Sequence, residues 1–264
     1  MTVATATKGT LRDPLIDGLI PAEGFRVWSV VVTVFGDLAQ SEGQTLSGAV
    51  LGALTLPLGI RPEALRVALH RLKKDGWLMA ERAGRGSYYG LSVRGRSESQ
   101  AAGARIYGLQ TKEPTSWRLA IQDPASAAQI DAPGFQIQPG VRLLIGHENP
   151  PQDFVLEGQI KTMPHWLKAQ LGPPEIAEAF ARLDRQLAEV LGKKTKFQQL
   201  GPMDIAVLRI LIVHEWRRIL LRMPAVPDAL LPAPWPGISC RHRVHELLAH
   251  LPRPTQSDLQ ATVR

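Results

Sequence analysis

The 264-residue chain reads as an α+β protein, and three features of the sequence say so. A short amphipathic segment rich in cations is followed at once by two strand-like runs around a tight turn. The centre sets short runs of β-branched and aromatic residues between Pro- and Gly-rich turns, and from Glu175 onward long segments repeat apolar residues at helical spacing. Helices and strands are thus grouped in blocks rather than alternating along the chain, which is the α+β pattern. Length leads to two or three compact units, and a 44% apolar content can furnish their cores.

Residues 1–24 read as a loose arm or short helix rich in small residues, and Phe25 to Leu38 as the first helix. Local propensity opposes the second assignment, because Val30, Val31, Val32, Thr33 and Val34 are β-branched and favour strands, so tertiary packing must override it. Thr45 to Ala53 reads as a short helix and Leu56-Pro57-Leu58-Gly59 as a turn.

The stretch RPEALRVALHRLKKDGW, residues 61–77, then places Leu65, Ala68, Leu69 and Leu72 at i, i+3, i+4 and i+7, a single apolar stripe. Val67, His70 and Lys74 point the other way, flanked by Arg66 and Arg71. Pro62 suits the first helical position, where a missing N–H costs little, and Asp75-Gly76 ends the helix. Arg61 stands where Ser or Thr usually caps, which gives up about 1 kcal/mol of capping. Trp77 to Ala83 and Ser87 to Ser92 are strand-like and flank Gly84-Arg85-Gly86, a hairpin turn with a cation at its tip.

Taken alone, the helix is ordinary solvated surface. Its neighbours and the charge distribution change that reading. Between Arg61 and Arg96 nine basic residues face three acidic ones, a net +6 where the whole chain carries only +7. Cations concentrated in this way can replace the counterions condensed on a phosphate backbone. A cationic helix followed by a cation-tipped hairpin is the order of a winged helix-turn-helix, with the helix in the major groove and the wing along the backbone or minor groove. On that reading Arg66 and His70 read base edges, while Arg71, Lys73, Lys74 and Arg85 grip phosphate and Arg61 adds a further phosphate contact.

FRVWSVVVTVFGDLAQ, then GIRPEALRVALHRLKKDGWLMAERAGRGSYYGLSVRG, resembles the N-terminal domain of PaaX-type regulators of phenylacetic acid catabolism. LRILIVHEWRRILLRMPAVPDALLPAPWPG, residues 208–237, is similar to the C-terminal domain of the same family. The residues themselves predict a winged helix-turn-helix over 25–97, a C-terminal helical domain over 173–252 and a mobile tail, 253–264, and the resemblance implies a ferredoxin-like (Cas2-like) middle domain over 104–172. It also implies an aryl-CoA thioester effector such as phenylacetyl-CoA, and the expected regulator binds double-stranded operator DNA as a homodimer and lets go when that effector is bound. One departure is visible: where the family has an arginine-bearing helix after the first middle strand, this chain has QDPASAAQIDAPG, short and almost uncharged.

The remaining elements follow in order. The polarity of Ser97 to Gly103 marks a linker. Strands are predicted at 116–121, within 135–146 and at 154–160. EIAEAFARLDRQLAEVL spaces Ile176, Phe180, Leu183, Leu187 and Leu191 as an amphipathic helix, Pro202 to Met223 is apolar nearly all round and therefore buried, and Arg241 to Leu251 is a third helix.

An acyl-CoA effector needs cations for its phosphates and an apolar pocket for its acyl group. The C-terminal third offers His214, Arg217, Arg218, Arg222 and Trp235 as the candidate set, with Arg241, Arg243, Trp216 and Trp166 nearby in sequence. Glu215 and Arg218 interrupt a buried helix, so either they pair at i, i+3 or they line a polar cavity. Trp235 likewise either clamps a Pro-rich loop or faces a ligand.

Enzyme signatures are lacking. His214-Glu215 has Arg218 where a zinc helix would carry its second histidine, and no nucleophile elbow, phosphate loop or dinucleotide fingerprint occurs. His242 and His245 have no third ligand in evidence, and Asp123 is the one acidic candidate for metal-dependent nuclease chemistry in the middle domain. No cofactor and no metal are expected. Cys240 is single, so no intrachain disulfide can form, and it reads as a packing residue. Without an apolar leader, and with a longest apolar run, Trp28 to Phe35, far short of the ~20 residues of a span, the expectation is a cytoplasmic protein without membrane contact. The rival reading keeps the winged helix as an interaction platform for a C-terminal domain that binds another effector or acts on acyl thioesters.

Overall fold

The structure is a computed structural model that describes residues 15–84, 86–108, 116–124, 134–144 and 153–263. Its first helix, α1 (Val27–Leu38), contains the β-branched run, and Val30, Val31, Val32, Thr33 and Val34 are all buried. The helix propensity lost at such residues is a few tenths of a kcal/mol each, whereas burying each valine is worth about 1.5 kcal/mol or more. Burial decides, because helices on either side sandwich α1. The preceding arm is anchored from the start of the described region, with Leu15, Ile16 and Leu19 in the core.

Residues Leu46–Ser47 form β1, so α2 (Gly48–Thr55) begins three residues later than the sequence predicts, with the Ser47 hydroxyl accepting from the Val50 amide at its N-terminus. A 3-10 turn, Leu56–Leu58, closes on Gly59 at φ +75°, a left-handed position that suits glycine. The chain then enters α3 (Pro62–Lys74), whose Leu65, Ala68, Leu69 and Leu72 are buried against α1 and α2. Next, β2 (Leu78–Ala83) and β3 (Gly86–Leu91) pair antiparallel from Leu78↔Leu91 to Ala83↔Gly86, and β1 adds to β3, giving the order β1-β3-β2. Arg85, the hairpin tip, lies outside the described residues.

The expected linker is instead the middle of a helix, α4 (Val93–Ile106). Arg94, Ser97, Glu98 and Gln100 face outward, Gly95, Ser99 and Ile106 are buried, and the Ser92 hydroxyl caps it by accepting from the Gly95 amide at 3.0 Å. The polarity of Ser97 to Gly103 belongs to a solvated helix face.

The middle strands β4 (Trp117–Ile121), β5 (Phe135–Gln138), β6 (Val141–Leu144) and β7 (Phe154–Gly158) form an antiparallel sheet in the order β5-β6-β4-β7. Most of QDPASAAQIDAPG lies outside the described residues. Among the described residues five α-helices follow: α5 (His165–Leu171), α6 (Pro174–Gly192), α7 (Pro202–Leu220), α8 (Pro236–His250) and α9 (Gln256–Thr262). Helix α6 buries Ile176, Phe180, Leu183, Leu187 and Val190, and α7 is buried on nearly every side. Helix α7 packs against α1, α2 and α4 as well as α6, α8 and α9, so it joins the two ends of the chain. The C-terminal segment is docked, not a free tail: Leu259 on α9 is fully buried, and the Ser47 hydroxyl donates to Gln260 at 3.0 Å. Among the described residues no helix is long and apolar enough to cross a membrane.

Candidate functional site

Helix α3 exposes the side opposite its buried stripe. Arg61, Arg66, His70, Arg71, Lys73 and Lys74 are all exposed, as is Arg82 on β2. Arg66, Val67, His70, Arg71 and Lys74 form one continuous stripe at helical spacing. Two of its guanidiniums have local carboxylates, Arg66 with Glu63 at 2.9 Å and Arg71 with Asp75 at 3.6 Å. These pairs are solvent-exposed and individually worth little, so an external phosphate can displace them. Lys73, Lys74 and His70 make no ion pair among the described residues. Arg61 occupies the N-cap position with no side-chain bond to the helix. Val67 is 69% exposed in the middle of the stripe, an apolar group suited to a thymine methyl. Arg94 pairs with Glu98 and also reaches the Asp75 carbonyl at the end of α3, and Arg96 pairs with Glu42.

The segment leading into α1, the first turn of α1 and the end of α7 line an open cavity of about 580 Å³. Four of the five residues expected to hold an effector, His214, Arg217, Arg218 and Arg222, line it together. Phe25, Arg26 and Trp28 line it from the N-terminal side, about 190 residues away in sequence, and no local pattern pointed to them. The wall therefore combines four arginines with aromatic and apolar surface, and its size is that of a small-molecule site.

Its electrostatics follow from burial. His214 is pushed down to about 3, first by desolvation and then by the Arg217 and Arg218 guanidiniums, so it is neutral at physiological pH. Its Nδ1 lies 2.9 Å from the Thr33 hydroxyl, and Phe25 meets the imidazole edge-on at 5.5 Å. Arg217 donates from Nη1 to the Ser29 carbonyl at 3.0 Å and to Thr33 Oγ1 at 2.9 Å, which ties α7 to the first turns of α1. Burial lowers the Arg217 pKa. Glu215 satisfies both arrangements open to it: Oε2 accepts from Arg218 at 2.8 Å, and the side chain lines the cavity. Its Oε1 is buried with no hydrogen-bond partner among the described residues, and burial raises its carboxyl pKa.

Trp235 is not brought to this group. It is 6% exposed, stands edge-on to Phe180 at 5.9 Å, and borders a separate cavity of about 160 Å³ with Trp216 and Arg241. Its role here is to clamp the Pro-rich loop onto α6. Trp166 is exposed on α5 and lines neither cavity. Arg241 is bidentate to Asp228, and Arg243 pairs with Asp184. Cys240 is fully buried and its thiol is pushed up by that burial.

The cationic helix and the cavity fall in two regions with known relatives. Residues 26–95 match the family model of PaaX-like proteins, and residues 173–261 match that of the PaaX-like protein C-terminal domain. Transcriptional repressor PaaX of Escherichia coli (strain K12) is 28% identical, in an alignment of 245 positions that covers 81% of this chain and 76% of that protein. The solved structure of uncharacterized protein Rv0674 from Mycobacterium tuberculosis superposes with a TM-score of 0.52 at 23% identity, covering 89% of this chain and 97% of the other, and shows the fold alone. Two family models in the same order as the family's own domains, together spanning more than half of the sequence, place the chain in the PaaX-like family.

Proposed function

We propose that the chain is a DNA-binding transcriptional regulator of the repressor type, and not an enzyme. On this reading α1, α2, α3 and the β1-β3-β2 sheet are a winged helix-turn-helix, with α3 the recognition helix and β2–β3 the wing. The observation that carries it is the continuous exposed stripe Arg66, Val67, His70, Arg71 and Lys74, followed in the chain by a hairpin whose β2 is exposed from Met79 to Ala83. Arg66 and His70 read base edges, Arg61, Arg71, Lys73, Lys74 and Arg85 hold phosphates, and a homodimer presents two such helices to half-sites about one turn apart. The β5-β6-β4-β7 order supports a ferredoxin-like middle unit.

The effector in this proposal is an aryl-CoA thioester such as phenylacetyl-CoA, held in the 580 Å³ cavity. Arg26, Arg217, Arg218 and Arg222 supply charge for phosphates, and Phe25 and Trp28 apolar surface for the acyl end. The E. coli relative, named a transcriptional repressor, supports the DNA-binding half of this reading. Selection of binding sites from a random duplex library, then release with phenylacetyl-CoA and with free phenylacetate, tests both halves. Enrichment of a defined site and release by the thioester alone are expected. No enrichment, or equal release by the free acid, contradicts the reading, and turnover of the thioester would favour a catalytic C-terminal domain instead.

A further inference from the structure

If the cavity is the effector site, its position raises the question of how occupancy reaches the duplex-facing helix. Trp28 lines the cavity and also borders a second one of about 430 Å³, bounded by Arg71, Asp75 and Trp77, and Arg217 is common to both. The Arg71 guanidinium lies over the Trp28 ring at 5.7 Å from its centre. Arg71 stands on the exposed stripe of α3, so one indole touches both the cavity and the cationic surface.

Arg217 is the other shared wall. Its two bonds to α1 go to neutral acceptors, the Ser29 carbonyl and the Thr33 hydroxyl. A phosphate or carboxylate entering the cavity offers the same guanidinium charge-assisted bonds, which are roughly twice as strong. The ligand therefore competes with α1 for Arg217. The unpartnered Oε1 of Glu215 points to a ligand that also carries an N–H or O–H donor, since a buried acceptor left empty is costly.

We propose that Trp28 and Arg217 are the coupling element: in the unliganded protein Arg217 ties α7 to α1 and Trp28 holds Arg71 in place on α3, and an anionic ligand draws Arg217 away and displaces Trp28, releasing Arg71. Trp28 acts here as a positioning residue, through Arg71. It is 37% exposed, with a cavity on each side, so the indole has room to change rotamer. This inference rests on the effector reading above.

The test uses the full chain and a duplex selected as above. Duplex affinity is measured with and without saturating phenylacetyl-CoA, and ligand binding is measured separately by calorimetry without DNA. In the parent, saturation should weaken duplex affinity by a factor on the order of 5 to 150, the usual range of allosteric coupling. In Trp28→Leu the factor should collapse toward one, with ligand-free affinity already near the liganded level of the parent. Trp28→Phe, which keeps an aromatic face for Arg71, should retain most of it. The decisive quantity is this factor: a Trp28→Leu protein that binds ligand and shows the parent's full factor overturns the coupling while leaving the effector reading intact. A parent that binds no phenylacetyl-CoA overturns both. Should Trp28→Leu fail to fold, the emission of Trp28, isolated as the difference between parent and Trp28→Phe, decides instead; ligand must change it, and an unchanged spectrum refutes the inference.

Discussion

Arg209 on α7 and Asp37 on α1 meet as a buried bidentate pair, with Nη2 2.8 Å from Oδ1 and Nε 3.0 Å from Oδ2, and with 4% and 0% of their side chains exposed. Arg209 also donates from Nη1 to the Leu251 carbonyl, while Asp37 accepts from the Tyr107 hydroxyl at 2.8 Å and from Arg253 at 3.2 Å. One carboxylate thus joins the first helix, the end of α4 and the C-terminal helices. That joint holds α1 against α7, and with it the cavity between them.

Removing one partner strands the other's charge in a dry site, so Asp37→Ala should destabilise by about 3–5 kcal/mol. The double variant Asp37→Leu with Arg209→Met should recover part of that loss, because no unpaired charge remains between those two positions. Urea unfolding of the three proteins measures this. A cost below about 1 kcal/mol for Asp37→Ala would place the pair outside the core of the stability account.

On α3 the two kinds of contact should separate. Arg66→Ala should cost about 1–3 kcal/mol on the selected site and little on scrambled duplex. Lys74→Ala should weaken both alike and reduce the salt slope by about one. Anisotropy titrations on the two duplexes at two salt concentrations distinguish them. Identical behaviour of both variants and the parent would remove α3 from the groove.

The neutral His214 has a pH consequence. Its folded pKa, about 3, lies below its ordinary 6.5, so between those values the unfolded chain binds a proton that the folded chain does not. Stability from this group is full above about pH 6.5 and falls as pH drops toward 3, by up to about 1.4 kcal/mol per unit. His214→Gln cannot titrate and keeps a polar partner for Thr33. Between pH 7 and pH 5 the parent should therefore lose about 2 kcal/mol more than the variant, as read from urea midpoints at each pH. Parallel losses would mean that the imidazole is not held neutral.

Gly95 sits in the first turn of α4 with no space beside it: a Cβ there would come 2.3 Å from the Trp77 carbonyl oxygen and 3.3 Å from Leu91. Alanine is the better helix former by about 1 kcal/mol, yet Gly95→Ala should destabilise by about 1–3 kcal/mol because backbone must move. Thermal unfolding reads the sign. A stabilised variant would show that α4 is not docked on the start of the hairpin.

Much of this architecture was legible because it is locally encoded. Helix α3 begins at Pro62 and ends before Asp75-Gly76, and the middle strands are punctuated by Pro and Gly, so the sequence predicts the bounds of both within a residue or two. Helix α1 was assigned against its own valines, and only its place between α3 and α7 explains it. Ser97 to Gly103 has the composition of a linker yet is helical, because a helix with small buried residues and a polar face resembles a linker in composition. For the cavity, His214, Arg217, Arg218 and Arg222 could be grouped from one helix, whereas Trp235 was grouped by sequence proximity and packs elsewhere. Arg26 and Trp28 meet α7 through the packing of α1, the Arg217 bonds to Ser29 and Thr33 and the Asp37–Arg209 joint, long-range relations that no spacing records.

The most direct test of the account is the affinity for non-specific duplex DNA as a function of salt. With Arg61, Arg71, Lys73, Lys74 and Arg85 on phosphates, log K should fall with log salt at a slope of about −4 to −5 per protomer. A slope shallower than about −1, with affinity nearly unchanged between 50 and 200 mM salt, would contradict the claim that this surface grips a duplex.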